Sequence, residues 1–349
     1  MSVGPRRVIK HTHRRAHMRC LRERSATMRT NGQHPAESGF PGDLTNGWSW
    51  EIAQLADGLL DVERHAVPFD PGCIGSVTVD RACLHQVNAF AGWSVVLLPA
   101  PESGAVYVEG RRLLAGDAVI LPPGSSLEVL THGVGRIFLI AFPGIGAALR
   151  MRQRRPRWYA RTEGRASCLS DDLRAWLDAS NAAEFDSQRT HAMRARLLLW
   201  LQSITADAQR TDGEGPALSR RRMAVERVRR FIHEHLAETM TLAELCQHAH
   251  LQARSLEYGF RDLVGLSPFK YIKMLRLAEV RRRLQTSNAA ERSVSELALD
   301  CGFCHLSQFA ADYKRVFLES PSTTRRAAER PGSTHVARYD AGVIAAAAR

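Results

Sequence analysis

Residues 241–268 read TLAELCQHAHLQARSLEYGFRDLVGLSP and residues 293–321 read SVSELALDCGFCHLSQFAADYKRVFLESP. Side by side they are two copies of one pattern. Leu245 to Leu251 aligns with Leu297 to Phe303 at an offset of 52 residues, and Leu256/Phe260 aligns with Phe309/Tyr313 at 53. Ser267-Pro268 keeps the second offset with Ser320-Pro321, so one residue has been added in the turn. Thr241 with Glu244 and Ser293 with Glu296 have capping-box spacing, and each opens a helix. Gly302 supplies the backbone freedom for a tight turn after the second such helix, a role His250 has to fill in the first copy. Each turn leads into a helix with apolar residues at i and i+4, then a Ser cap with Pro at the first position of the next helix. Residues 268–284, PFKYIKMLRLAEVRRRL, carry Tyr271, Ile272, Leu275, Ala278 and Leu284 along one face. This predicts a long helix joining the units, its remaining surface made basic by Arg276, Arg281, Arg282 and Arg283.

A helix, a short turn and a second helix form the helix-turn-helix arrangement, in which the second helix enters the DNA major groove and the first crosses the backbone. Two copies on one connecting helix, over residues 225–326, resemble the AraC/XylS family of bacterial transcription regulators. The resemblance rests on SLEYGFRDLVGLSPFKYIKMLRLAEVRRRL and SVSELALDCGFCHLSQFAADYKRVFLESPS, where the order LA, GF, F, SP recurs with the family's spacing. Within the family, FCHLSQFAADYKRVFLESPS is similar to the branch that regulates ethanolamine utilisation. The resemblance implies a cupin-like effector-binding and dimerising domain upstream, and a chain that is not an enzyme. It implies double-stranded DNA and a small-molecule effector as partners, RNA polymerase too if the chain is an activator, and a homodimer. Two departures stand out: Glu257 and Tyr258 occupy places where many members carry Arg, and Ala310 and Ala311 sit where polar readers are common.

Base preference therefore has to come from this chain's own side chains. In the first recognition helix Leu256, Phe260 and Leu263 face inward, leaving Arg254, Ser255, Glu257, Tyr258 and Arg261 outward. Arg254 can read guanine O6 and N7, and Glu257 can accept from cytosine N4. In the second, Phe309, Tyr313 and Val316 face inward; His305, Ser307, Gln308, Ala311 and Lys314 face outward. Gln308 suits adenine, whereas Lys314 and Arg315 suit phosphate and so carry affinity rather than sequence information. Phe260, Phe269, Phe309, Tyr313 and Phe317 are assigned to the core.

The charge distribution agrees with this placement. The formal charge is +12 over 349 residues. Residues 1–30 carry nine Lys/Arg against one acid and residues 219–330 twenty against thirteen, whereas 31–218 carry seventeen against twenty-one. The basic excess lies at the ends, as a polyanion-binding segment requires.

Residues 1–45 are Arg-rich and Gly/Pro-punctuated and read as a disordered tail: a DNA-following arm, an organelle transit peptide, or a dispensable extension with translation starting at Met18 or Met28. From Trp48 to Pro143 short apolar runs alternate with turn residues: SVTV, SVVLLPA, AVYVEG, DAVILPPG, LEVL and RIFLIAF. Such spacing predicts a small antiparallel barrel or sandwich, and the Gly116-Asp117 and Pro-Pro-Gly turns are typical of cupin-like barrels. After a basic connector, Ser170-Asp171-Asp172 is read as a cap, and Met193, Leu197, Trp200, Leu201 and Ile204 form an apolar stripe for the barrel or for a second chain. The predicted organisation is α+β in two domains, 46–206 and 219–330, with a linker at 207–218 and a flexible tail at 331–349.

Other functions find little support. No run approaches the roughly 20 apolar residues of a membrane-spanning helix, so no membrane partner is expected. Seven cysteines without even spacing, and no secretory signal, point to a reducing cytoplasm. No cofactor or metal site is expected: the β region has only His65, His85 and His132, widely spaced, and no catalytic triad or nucleotide-binding motif occurs. Cys301-Gly-Phe-Cys304 has redox or zinc spacing but lies on the helix-turn junction, with Cys246 the only further cysteine in that domain. The alternatives are a DNA-binding regulator whose barrel only dimerises, and a cupin-type metalloenzyme fused to a DNA-binding domain.

Overall fold

The computed structural model describes residues 28–30, 48–69, 72–143, 156–159, 165–180, 191–193, 195–200, 219–285 and 292–329. The linker 207–218 and the tail after 330 lie outside them.

Twelve strands build two antiparallel sheets. The first runs β1 (Met28–Thr30), β3 (Val62–Phe69), β4 (Gly72–Val79), β11 (Gly135–Pro143), β6 (Trp93–Pro99), β9 (Ala118–Leu121), β12 (Arg157–Tyr159). The second runs β2 (Trp48–Gln54), β5 (Cys83–Ala89), β10 (Ser126–His132), β7 (Ala105–Val108), β8 (Arg111–Leu113). The six quoted apolar runs fall on β4, β6, β7, β9, β10 and β11. Met28–Thr30 lies inside the segment read as disordered; it pairs antiparallel with β3, whose outer side would otherwise be an open row of backbone donors and acceptors.

Residues two apart along a strand share a face, and this alternation sorts the apolar side chains into separate layers. On β11, Ile137, Leu139 and Ala141 point between the sheets, while Phe138, Ile140 and Phe142 point out from the first sheet. That outer face is covered by α1 (Arg165–Ser180), through Leu169, Leu173, Trp176 and Leu177, and by Met193, Leu197 and Trp200. The stripe thus packs on the barrel; Leu201 and Ile204 lie outside the described residues. Ser170 does not cap: the helix starts earlier because Leu169 already packs on the sheet, and Ser170 Oγ donates to the Pro99 carbonyl at 3.4 Å.

The helical half comprises α2 (Arg220–Glu234), α3 (Leu242–Ala249), α4 (Ala253–Val264), α5 (Pro268–Gln285), α6 (Val294–Asp300), α7 (Leu306–Phe317) and α8 (Pro321–Ala328). Its core reaches the outer face of the second sheet, taking in Leu55, Leu84, Tyr107 and Leu130. The architecture is therefore a two-domain α+β chain in which one β unit lies between two helical layers. No helix among the described residues is long and apolar enough to cross a membrane.

Candidate nucleic-acid interface

The two helix pairs α3/α4 and α6/α7 share their capping boxes and the first hydrogen bonds of their turns. Both capping boxes close: Glu244 N–H donates to Thr241 Oγ1 and Thr241 N–H to Glu244 Oε2 (3.3 and 2.7 Å), and Ser293 with Glu296 does the same (3.1 and 2.6 Å). Those accepted backbone hydrogen bonds hold both carboxyls below the ordinary glutamate range. At the turns, the N–H groups of His250 and Leu251 reach the carbonyls of Gln247 and Cys246; those of Gly302 and Phe303 reach Leu299 and Ala298, each 52 residues on. His250 (φ 53°) and Gly302 (φ 85°) both take the left-handed conformation. A Cβ on Gly302 would lie 2.7 Å from the Ala237 carbonyl oxygen, so only that copy also demands glycine for space.

The recognition helices α4 and α7 bury Leu256, Phe260 and Leu263, and Phe309, Tyr313 and Val316, as expected. Arg254, Tyr258 and Arg261 are exposed on α4, with Ser255 and Glu257 half-buried. Arg254 lies over the Tyr258 ring, 5.6 Å from its centroid, and Nη2 reaches the hydroxyl at 3.4 Å. The N-cap His305 and, on α7, Ser307, Gln308, Ala311, Lys314 and Arg315 are exposed, with Leu306 and Ala310 beside them. Two of these are engaged within the protein. Gln308 hydrogen-bonds the buried Asp312; that bond and the Lys273 contact hold the Asp312 carboxyl below its usual range against the opposing effect of burial. Arg315 binds the same carboxylate and reaches Asp57 of the β unit at 3.4 Å.

The described residues thus hold two capped helix pairs with the same turn hydrogen bonds and outward second helices, and a family model falls on the same residues. A helix-turn-helix domain model matches residues 245–327. The XylDLEGF operon transcriptional activator 1 of Pseudomonas putida is 43% identical over 101 residues, 29% of this chain and 30% of that one. Over this domain the chain is similar to transcription regulators of the AraC/XylS type. The transcriptional activator RhaS of Pectobacterium atrosepticum is 28% identical over 145 residues, 41% of this chain and 50% of its own. Among solved structures, a probable AraC family regulator from Rhodopseudomonas palustris is 32% identical, covering 31% of this chain and 99% of that one at a TM-score of 0.29. The chain thus spans about a third of the length of the P. putida activator.

Several side chains of the helix-turn-helix domain have roles that sequence reasoning missed. Arg276, assigned to a basic surface, donates to the carbonyls of Leu236, Glu238 and Gly302 at 2.8, 2.6 and 2.8 Å, tying the α2–α3 loop to the turn of the second unit. Arg281 pairs with Glu319, and Arg282 and Arg283 with Glu279, so the connector's basic residues are used internally. The Glu279 pairs are i,i+3 and i,i+4 neighbours, whereas the partners of Arg276 and Arg281 are distant in sequence and leave no local pattern. Phe269, assigned to the core, is 46% exposed, because Pro268 and Tyr271 fill the inward positions of that turn.

The β-unit histidines go to separate places. His65 lies beside Glu63, and His132 meets the Leu263 carbonyl at 2.7 Å. His85 accepts from Trp50 Nε1 and contacts Thr131 Oγ1 (both 3.1 Å) inside the barrel, where burial pushes its pKa to about 3. Among the described residues no three His, Cys, Asp or Glu side chains gather to hold a metal. Cys301 is buried and its thiol is pushed up to about 11, while Cys304 is exposed.

Proposed function

We propose that the chain is a sequence-specific regulator of transcription that binds double-stranded DNA through α4 and α7 in two successive major-groove segments. The observation that carries it is the pair of capped helix-turn-helix units with exposed second helices, in the residues that match the family. The connector α5 has 18 residues and is roughly 27 Å long at 1.5 Å per residue. With helix packing at both ends it suits the roughly 34 Å between groove segments one turn apart. Arg254, Ser255, Glu257, Tyr258 and Arg261 form one reading set. His305, Ser307, Gln308 and Ala311 form the other, with Lys314 and Arg315 on phosphate.

The wider reading is an effector-responsive activator acting in the cytoplasm. Its residues 46–206 form a cupin-like domain that binds a small molecule and pairs two copies, ahead of the DNA-binding domain at 219–330, and RNA polymerase is the downstream partner. The named relatives, two transcriptional activators, support this direction. Selection of random duplexes with the full chain tests it. The expected result is an enriched motif with two elements about one helical turn apart, bound with an affinity that falls steeply as salt rises. Failure to enrich any sequence at low salt defeats the proposal.

A further inference from the structure

The second sheet touches both recognition helices, and at the same place in the repeat. Near one end His132, on β10, bonds the Leu263 carbonyl in the last turn of α4 at 2.7 Å; a carbonyl only accepts, so Nε2 carries the proton. In the loop after β2 the Gly58 N–H donates to the Val316 carbonyl in the last turn of α7 at 3.1 Å, and Gln54 Nε2, at the end of β2, lies 3.3 Å from the same oxygen while holding the Ala56 and Gly58 carbonyls at 2.5 Å. Leu263 and Val316 stand 53 residues apart, the offset that relates α4 to α7, so they are equivalent positions of the two units.

Carbonyls in the last turn of a helix lack an intrahelical donor, and here the β unit supplies one to each recognition helix. The donors are built in. Arg81 Nη1 bonds the Asp57 carbonyl at 2.7 Å and Gly58 has φ 97°, which fixes the loop that presents its N–H. Both contacts lie at one end of the sheet, where Gln54, Cys83 and Thr131 share a row; three rows along, Glu128 of β10 meets Arg229 of α2 at 2.9 Å, with Arg229 only 3% exposed. The touched atoms lie at the C-terminal ends of both helices, while Arg254, Tyr258, Arg261, Ser307 and Lys314 remain exposed. The docked sheet leaves the reading faces open.

We propose that His132 and the 54–58 loop are positioning residues for DNA recognition: the β sheet spans the two recognition helices and sets the spacing between the DNA segments they read. The inference rests on the two-segment reading proposed above.

The test uses the full chain and its selected site with one base pair removed, unchanged, or with one or two added between the elements. Each base pair shifts one element along and around the duplex. Wild type is expected to favour the selected spacing by about tenfold. His132→Ala combined with Gln54→Ala should reduce that preference to roughly twofold. His132→Gln, which retains a side-chain N–H donor, should restore much of it in the His132 background. Thermal melts confirm that each variant is folded. Uniform weakening on every spacing would make these residues merely structural and overturn the proposal; uniform tightening would make the sheet a brake and overturn it equally. An unchanged preference in the folded double variant also overturns it, while the two-segment reading stands. A wild-type chain that protects only one element defeats both.

Discussion

The two helix-turn-helix units share capping boxes, turn geometry and inward positions, yet they differ in what they show to solvent. The exposed face of α4 offers Arg254 over Tyr258 and, a turn later, Arg261. The face of α7 offers Leu306, Ala310 and Ala311, with Gln308 turned to Asp312 and Arg315 shared between Asp312 and Asp57. The scaffold is repeated, and the exposed side chains proposed to read DNA differ on it. Residues that serve the scaffold should therefore behave alike in both copies except where packing differs, and reading residues should not.

The largest expected difference is at the turns. Gly302→Ala places a Cβ 2.7 Å from the Ala237 oxygen at a φ of 85°. It should destabilise the domain by about 2 to 4 kcal/mol, combining backbone strain and overpacking. His250→Gly relieves a left-handed non-glycine residue and should be neutral or stabilising by up to about 1 kcal/mol. Thermal denaturation of the two variants gives the contrast, and equal losses would show that the turns are not equivalent in the assumed way.

Next come the reading faces. Arg254→Ala should cost about 1 to 3 kcal/mol on the best duplex and relax the preference at one base pair. Gln308→Ala should cost less, roughly 1 kcal/mol, because its side chain already has a protein partner. Lys314→Ala should weaken all sequences alike and lower the salt slope by about one. Titrations against the selected site and single-base variants measure all three. A larger loss for Gln308 than for Arg254 would reverse the assignment of the stronger reader.

A smaller contrast lies at the helix ends. The C-cap of α4 is Gly265 (φ 76°), and its counterpart on α7 is Leu318, at φ 55° and 62% exposed. Leu318→Gly should raise stability by about 0.5 to 1 kcal/mol, since little burial is lost and the strain is relieved. A fall in melting temperature would mean that Leu318 packs in a way its exposure hides.

The smallest effect should be common to both copies. The Glu244 and Glu296 carboxyls are held below the ordinary glutamate range by the backbone N–H groups whose hydrogen bonds they accept. A folded pKa below the unfolded one stabilises above the unfolded value, and that contribution is lost as pH falls through the folded one. Carboxyl carbon shifts in an NMR titration should give two midpoints below 4.5 for the folded chain, with both units losing their caps over the same acidic range.

What the sequence disclosed follows from how local each signal is. The capping boxes, the turn at Gly302 and the Ser-Pro starts depend on residues within four positions of one another, and all were legible. Strands of continuous apolar residues, such as β6 and β11, were legible too. β5 was not, because CLHQVNA carries His85 at an inward position, where Trp50 and Thr131 satisfy it from two other strands. The contacts of His132, Gln54 and Gly58 were out of reach for another reason. Their partners are main-chain carbonyls more than a hundred residues away, and every residue type has a carbonyl.

Arg276 has a consequence for how the domain comes apart. One guanidinium on α5 satisfies two carbonyls beside the first unit and one in the turn of the second. Opening either unit therefore leaves a half-buried cation and the carbonyls of the other without partners, which couples their local unfolding. The duplicated halves, for all their internal symmetry, form a single foldon. Native-state hydrogen exchange should then find the slow amides of α3 and α6 released together, at one free energy.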